Sequence, residues 1–319
     1  MKIIILIILS MFLLYSCSQQ TNETNEYYYL SDDLIEMVTV PAVSNFDMGY
    51  VGVTDAEPVH TVPSISSFKI GKYEITYEQW YTVRMWAVNN YPYPYTFAND
   101  GSEGNDGATG AEPTTLAREE PVSYISWRDC IVWCNAASEY EGKTPVYYWD
   151  SSFTDPCRDS TLTLIDNPSV NWNADGYRLP TEAEWEVAAR YRDGSDWTPG
   201  NYTSGAFADI TDTTATGQVA WYSNNSGGTT HNAGTKSPNQ LRIYDMSGNV
   251  LEFCWDWFGA YTTESPYTDS NPIGPTSGVA RTQRGGAFSN SSTVQQVSIR
   301  YTIYTDNIYN NLGFRVVSR

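Results

Sequence analysis

Turn-forming residues interrupt this chain every few positions, and three segments carry the signals of a regular helix. The 319 residues include 23 glycines and 16 prolines. Each segment starts at a helix-capping residue, and two of them have Gln or Glu three residues later, the pattern of a capping box. We expect helices from Thr76 to Val88, from Ser126 to Ala137 and from Thr181 to Arg190. The chain therefore favours an irregular α+β fold with many short strands and long loops.

The segment 99–112 differs from these helices because it is rich in Gly and Asp and has no apolar anchor. Gly and Asp favour turns, since Gly adopts positive φ and the Asp side chain bonds its own backbone. We expect this segment to be a loop.

The N-terminus has the features of a secretory signal. Lys2 precedes the apolar run Ile3 to Leu14, which is shorter than the ~20 residues needed to span a bilayer. Leu14-Tyr15-Ser16-Cys17 resembles a bacterial lipobox, in which the cysteine becomes the lipidated first residue. The alternative is an ordinary signal peptide cut nearby, with a cysteine present by chance.

These features divide the chain into a signal peptide at 1–16, a lipidated Cys17 with a flexible tether at 17–35, and one folded domain at 36–319. We expect an exported lipoprotein at the outer membrane or cell surface, or facing the periplasm. Its contact with the membrane would be the N-terminal lipid anchor only.

Acidic residues outnumber basic ones, 37 against 18, for a formal charge of −19. Nucleic-acid binding needs clustered Lys and Arg that neutralise phosphates, so this charge argues against a nucleic-acid partner. The two histidines, His60 and His231, cannot build a three-histidine metal site.

The four cysteines that follow Cys17 permit several arrangements. Cys130 and Cys134 lie four residues apart on a predicted helix, which makes them poor partners for each other. Two disulfides with Cys157 and Cys254, a zinc site without the usual CxxC spacing, and buried free thiols all remain open.

Several ordered blocks resemble the formylglycine-generating-enzyme, or sulfatase-modifying factor, family. The blocks are Met37–Glu74, Pro121–Trp127, Gly176–Glu186, Tyr244–Phe253, Arg284–Phe288 and Asn311–Arg315. The resemblance covers about residues 36–319 and implies the family's irregular variant of the C-type lectin fold. The same blocks also have structural roles as helix caps, core aromatics and turns, so they indicate the fold better than an activity.

The chain departs from the enzyme at the reactive positions. The family's oxidase uses two copper-binding cysteines after the Gly-Gly turn, and this sequence has Asn290 and Gln295 there. Neither side chain forms a thiolate or binds Cu(I) as a soft ligand. The neighbouring serine, tyrosine and tryptophan of the enzyme are replaced by Ala287, Val294 and Leu251. We therefore expect no catalytic residue, no copper and no cysteine-oxidase activity.

The resemblance does imply a structural calcium site. Asp245, Gly248, Val250 and Glu252 match positions where the family binds the ion through two side-chain and two main-chain oxygens. Oxygen ligands suit calcium, which is plentiful outside the cell. The alternative is a turn that Asp245 and Gly248 stabilise without an ion.

The segment 288–310 has many Ser, Asn, Thr, Tyr and Ile residues and no Lys or Glu. It resembles the variable region of retroelement-diversified proteins, although an ordinary loop of an inactive family member is the alternative. Tyr supplies rigid contact area, and Ser, Thr and Asn supply adaptable hydrogen bonds. In the implied fold this segment lies over the former active-site cleft, so its polar and aromatic side chains should reach solvent together, with Tyr301, Tyr304 and Tyr309 as the leading anchors. The candidate ligand-binding residues are Phe288, Ser289, Asn290, Ser291, Thr293, Tyr301, Thr302, Ile303, Tyr304, Asn307 and Tyr309.

These observations favour an exported, lipid-anchored ligand-binding protein whose partner is a surface protein or glycan. Two alternatives remain open from the sequence. One is an enzyme of the same superfamily with a different chemistry, and the other is a structural component of a cell-envelope complex.

Overall fold

The computed structural model describes residues 34–319. The predicted signal peptide and the predicted lipidation of Cys17 lie outside the described residues. Leu34 and Ile35 are buried, and the Leu34 amide donates a hydrogen bond to Glu141 Oε1 at 2.8 Å. The folded domain therefore begins at least two residues before the predicted boundary at 36, because these apolar side chains complete the core.

Within residues 34–319 the helices are α1 (Tyr77–Val88), α2 (Trp127–Tyr140), α3 (Glu182–Arg190) and α4 (Thr213–Val219). The first three start at the predicted caps Thr76, Ser126 and Thr181, and each has a complete capping box. The fourth was not expected from the sequence; Asp212 caps it by accepting two backbone hydrogen bonds. No helix in this part of the chain is long and apolar enough to cross a membrane.

The strands are short and form two larger sheets and three pairs. They are β1 (Met37–Val40), β2 (Val43–Met48), β3 (His60–Ile65), β4 (Phe68–Gly71), β5 (Ser102–Glu103), β6 (Val122–Ser123), β7 (Tyr147–Tyr148), β8 (Ser169–Val170), β9 (Leu251–Trp257), β10 (Arg281–Arg284), β11 (Tyr301–Ile303), β12 (Leu312–Gly313) and β13 (Val317–Ser318). The sheets have the orders β1-β4-β13 and β11-β10-β9-β12, and the pairs are β2-β3, β5-β6 and β7-β8. Mixed short elements of this kind agree with the predicted α+β fold.

The sheet β11-β10-β9-β12 determines where the C-terminal segment lies. All seven residues of β9 are buried, so this strand forms the centre of the sheet. Strand β10 runs antiparallel to β9, and β11 pairs antiparallel with β10 as an edge strand. Strand β12 runs parallel to β9, with Leu312 opposite Leu251. This arrangement brings three distant blocks of the sequence into one sheet.

The segment 99–112 is more ordered than a loop prediction allows. Residues Ser102 and Glu103 form β5, are buried and pair with β6. The loop prediction was wrong for this part because polar contacts, not apolar ones, anchor it. The Trp80 indole Nε1 donates to the Asp100 carbonyl at 2.8 Å, and Arg84 forms an ion pair with the Asp100 carboxylate.

Helix α2 lies in the larger core cluster, and its cysteines point inward. Cys130, Cys134, Cys157 and Cys254 are all free and buried. The structure therefore has neither of the two disulfides that the cysteine count permitted, and the buried-thiol interpretation is the one it supports.

Candidate functional site

The Gly285-Gly286 turn connects β10 to the C-terminal segment. Both glycines have positive φ, +94° and +72°. A Cβ at Gly286 would lie 2.8 Å from the Val294 carbonyl oxygen and 2.7 Å from Gln295 Oε1, so a larger residue there would force the loop apart. Val294 and Gln295 therefore pack closely against the backbone of Gly286.

Asn290 and Gln295 lie at the positions of the enzyme's cysteines, and both stabilise this loop by hydrogen bonds. Asn290 Oδ1 accepts a hydrogen bond from the Ala287 amide at 2.9 Å. The fully buried Gln295 donates from Nε2 to the Ala287 carbonyl at 3.1 Å. The two carboxamides therefore bond the amide and the carbonyl of Ala287. At the positions where the enzyme has its redox cysteines, this protein has two structural hydrogen bonds.

The four described cysteines do not take over the role of the two redox cysteines that the enzyme has. Burial raises the pKa of Cys130, Cys134, Cys157 and Cys254 above the usual thiol value, with desolvation as the largest cause. A reactive cysteine needs a lowered pKa, because the thiolate is the nucleophile. None of these four thiols has that environment.

Arg284 connects the C-terminal segment to the buried interior of the protein. Its guanidinium is fully buried and forms an ion pair with Glu186 of α3. It also donates to the main-chain carbonyls of Val297, Ser298 and Ile299 at 2.9–3.0 Å. One side chain therefore attaches three consecutive residues of the segment to helix α3.

Arg300 provides a second buried anchor. Its guanidinium donates to both carboxylate oxygens of Glu182, and its Nη1 bonds the carbonyls of Asp55 and Gly259 at 2.9 Å each. Its ring contact with Tyr261, 3.7 Å from the guanidinium carbon to the ring centre, encloses it further. The segment is thus fixed immediately before β11 begins.

The predicted calcium ligands lie in a buried acidic region. Glu252 accepts two hydrogen bonds from Arg315, and Asp245 accepts one from the Gly234 amide at 2.7 Å, which leaves Asp245 Oδ1 buried and without a partner. Burial raises the pKa of Asp245 to about 6 and that of the nearby Glu74 well above its usual value. Both oxygens of Glu252 accept hydrogen bonds from Arg315, and the Trp185 indole also donates to Glu252, so Asp245 Oδ1 is the one carboxylate oxygen of these two residues without a hydrogen-bond partner.

The predicted calcium site would use main-chain oxygens as well as side chains. Residues 34–319 include no cluster of three or more His, Cys, Asp or Glu side chains placed to hold a metal ion. The predicted site instead combines two carboxylates with the main-chain oxygens of Gly248 and Val250, and calcium binding there stays a prediction.

The structure brings most predicted ligand-binding residues to the surface. The exposed fractions of Tyr301, Tyr304 and Tyr309 are 38%, 60% and 52%, and these three form what we call the tyrosine face. The other accessible members are Ser289, Asn290, Ser291, Thr293, Thr302 and Asn307. The exposure expected for the three tyrosines is confirmed, whereas their role in binding stays a prediction.

Two predicted residues do not reach solvent freely. Phe288 is 3% exposed, because its amide donates to the Asn249 carbonyl and its own carbonyl accepts from Ser226 Oγ. Ile303 is 5% exposed, because it packs into the larger core cluster from β11. These two candidate ligand-binding residues are therefore covered, unlike the three tyrosines.

A cavity of about 710 Å³ lies beside the tyrosine face. Tyr304, Asn307 and Tyr309 line it, and so do Gln283 of β10 and Phe258, which the sequence did not indicate. Pairing β10 with β11 places Gln283 opposite Tyr301. A sequence-based prediction of that strand pair would have pointed to Gln283.

The sequence is similar to a known protein family and to several characterised proteins. The model of the sulfatase-modifying factor enzyme 1-like domain matches residues 30–319. A chaperone protein LppX from Paenibacillus barcinonensis is 30% identical over 266 residues, which cover 78% of this chain and 79% of that protein. A formylglycine-generating enzyme from Thermomonospora curvata is 35% identical over 165 residues, and that match covers 45% of this chain and 51% of the enzyme.

The solved structure of Treponema denticola variable protein 1 resembles the whole domain. It superposes with a TM-score of 0.72 at 29% sequence identity, over 89% of this chain and 95% of that one. A similarity of this extent confirms the predicted fold class.

Proposed function

The chain belongs to the sulfatase-modifying factor enzyme 1-like family, and we propose from this premise that it is an exported, lipid-anchored binding protein without cysteine-oxidase activity. We place the ligand on the C-terminal segment and the lipid anchor on Cys17. The partner is a protein or glycan at a cell surface. One observation carries the proposal: the segment that replaces the oxidase centre presents three exposed tyrosines.

The contacts of the loop 287–295 support the absence of cysteine-oxidase activity. Asn290 and Gln295 use their carboxamides to brace Ala287, so the two positions have a structural role. The similar proteins include a chaperone and a variable protein, as they are named, in addition to enzymes. The scaffold is therefore compatible with functions other than catalysis.

Incubation with copper and a cysteine peptide of the sulfatase type tests the absence of catalysis. We expect no formylglycine aldehyde by mass spectrometry, because neither Asn290 nor Gln295 can bind Cu(I) or carry a thiolate. Aldehyde formation above a protein-free control would contradict the proposal. A formylglycine-generating enzyme serves as the positive control.

Replacement of Tyr301, Tyr304 and Tyr309 with Ala tests the binding face. The labelled full-length protein should bind intact cells in a panel of bacteria and cultured eukaryotic cells, measured by flow cytometry. The triple variant should bind at least ~2 kcal/mol more weakly, the threshold for residues that dominate an interface. A variant with Tyr91 and Tyr93 replaced, two exposed tyrosines outside this segment, is the matched control. Equal loss in both variants would contradict the assignment.

We also propose a structural calcium ion held by Asp245 and Glu252 with the main-chain oxygens of Gly248 and Val250. The unpartnered Asp245 Oδ1 and the excess of buried carboxylates support it. The ion would neutralise charge under the central sheet and would take no part in a reaction.

A further inference from the structure

Gln283 is a buried polar residue with an unused hydrogen-bonding group. It is 5% exposed and lies on β10 between two paired strands. Its carboxamide makes no hydrogen bond within residues 34–319, and the side chain lines the cavity beside the tyrosine face. The Gln283 carboxamide is not among the fully buried unpartnered groups, so it is accessible from the cavity and its hydrogen-bonding capacity is open to a ligand or water there.

The walls of this cavity combine aromatic rings with uncharged polar groups. Phe258, Tyr304 and Tyr309 contribute rings, and Asn307 contributes a second carboxamide whose side chain has no partner in the described structure. None of the residues that line the cavity carries a charge. A charged ligand would therefore lose its hydration without gaining a counter-charge.

We propose that this cavity binds an uncharged saccharide, with the Gln283 carboxamide as the hydrogen-bonding group at its floor. The inference deepens the proposed function, on which it rests, by naming the ligand class. A carboxamide both donates and accepts, as a sugar hydroxyl does. The negative face of an aromatic ring packs favourably against the C–H groups of a sugar ring. The volume of about 710 Å³ falls within the range of small-ligand sites.

A peptide ligand fits these features less well. An extended peptide binds by adding a strand to a sheet edge, and its affinity comes from a row of main-chain hydrogen bonds. The edge strand next to the cavity, β11, has three residues. That edge is too short for a long row of such bonds, whereas the cavity encloses a compact ligand.

A printed array of neutral and acidic oligosaccharides tests the inference with the full-length protein. We expect binding to at least one neutral oligosaccharide and none to its sulfated or sialylated form. The Gln283→Met variant keeps the length of the side chain and removes the carboxamide, so its affinity should fall at least about tenfold. Its melting temperature should not fall, because the lost group has no partner inside the protein.

Gln296→Met is the matched control, since the Gln296 carboxamide donates to the Thr293 carbonyl at 2.7 Å on the surface and does not line the cavity. Its affinity for the saccharide should be unchanged. Failure of every neutral oligosaccharide to bind would overturn the inference, and so would equal affinity of the Gln283→Met variant. If cell binding still depends on the tyrosine face in either case, the proposed function stands and only the ligand class is wrong.

Discussion

The inner and outer sides of the C-terminal segment use different chemistry. On the inner side, Arg284 and Arg300 are buried and form ion pairs with Glu186 and Glu182 of helix α3. On the outer side, the tyrosine face is exposed, and its phenol groups make no hydrogen bond within the described residues. Charged side chains thus hold this segment in place, whereas its uncharged side chains are left available for contact. A change on one side should therefore affect stability and a change on the other should affect binding.

The largest expected effect comes from removing an inner anchor. Arg284→Met leaves Glu186 without one of its two arginine partners and frees three main-chain carbonyls, so the free energy of unfolding should fall by about 3–5 kcal/mol. Chemical denaturation of the purified protein measures this change.

Arg192→Met is the control for that experiment. Arg192 pairs with Asp196 on the surface, where ion pairs contribute about 0–1 kcal/mol. Similar losses in the two variants would break the distinction between a structural inner side and a tolerant surface.

Chelation of the proposed calcium ion should have the next largest effect on stability. A ligand at a hundred times its dissociation constant stabilises the native state by about 2.7 kcal/mol, so chelation should lower the melting temperature and calcium should restore it. Asp245→Ala should abolish this response, whereas Asp209→Ala, at a half-exposed position, should keep it. An unchanged melting curve in chelator, with no ion found by elemental analysis, would leave only a structural turn.

The smallest effect on stability is expected from the outer side. The triple replacement of Tyr301, Tyr304 and Tyr309 with Ala should change the free energy of unfolding by only about 0.5 kcal/mol per site, because exposed side chains contribute little to folding. Denaturant titration checks this. A loss as large as that of Arg284→Met would show that the tyrosines belong to the structural side.

Local signals in the sequence predicted the parts of the fold that depend on local interactions. The capping boxes at Thr76 and Thr181 involve residues three apart, so the sequence displays both partners. Strand β5 carries no such signal, and helix α4 carries only part of one. Strand β5 depends on distant polar contacts, such as Ser123 Oγ with the Gly104 carbonyl, whereas α4 has the local cap Asp212 but no Gln or Glu three residues later to complete a capping box.

The candidate site shows the same limit. The exposed tyrosines were predicted from the family resemblance, because in the implied fold the segment after Gly286 lies over the former active-site cleft. Gln283 was not, because its burial depends on the pairing of β10 with β9 and β11. Phe288 and Ile303 were assigned to the surface for the same reason: residue type does not reveal which side of a strand or turn is covered.

Arg284 contacts the segment through the carbonyl oxygens of residues 297–299, and every amino acid supplies the same carbonyl. The Arg284 contact itself uses main-chain atoms only, while the buried Val297 side chain and the Ser298 hydroxyl, which donates to the Gly200 carbonyl, fix the same residues from within the core. Random libraries inserted at Ser289, Ser291, Thr293, Tyr301, Thr302, Tyr304 and Tyr309 should keep the backbone path while changing the surface that it displays. Such libraries would use the domain as a display framework, as antibody libraries use loops on a constant frame.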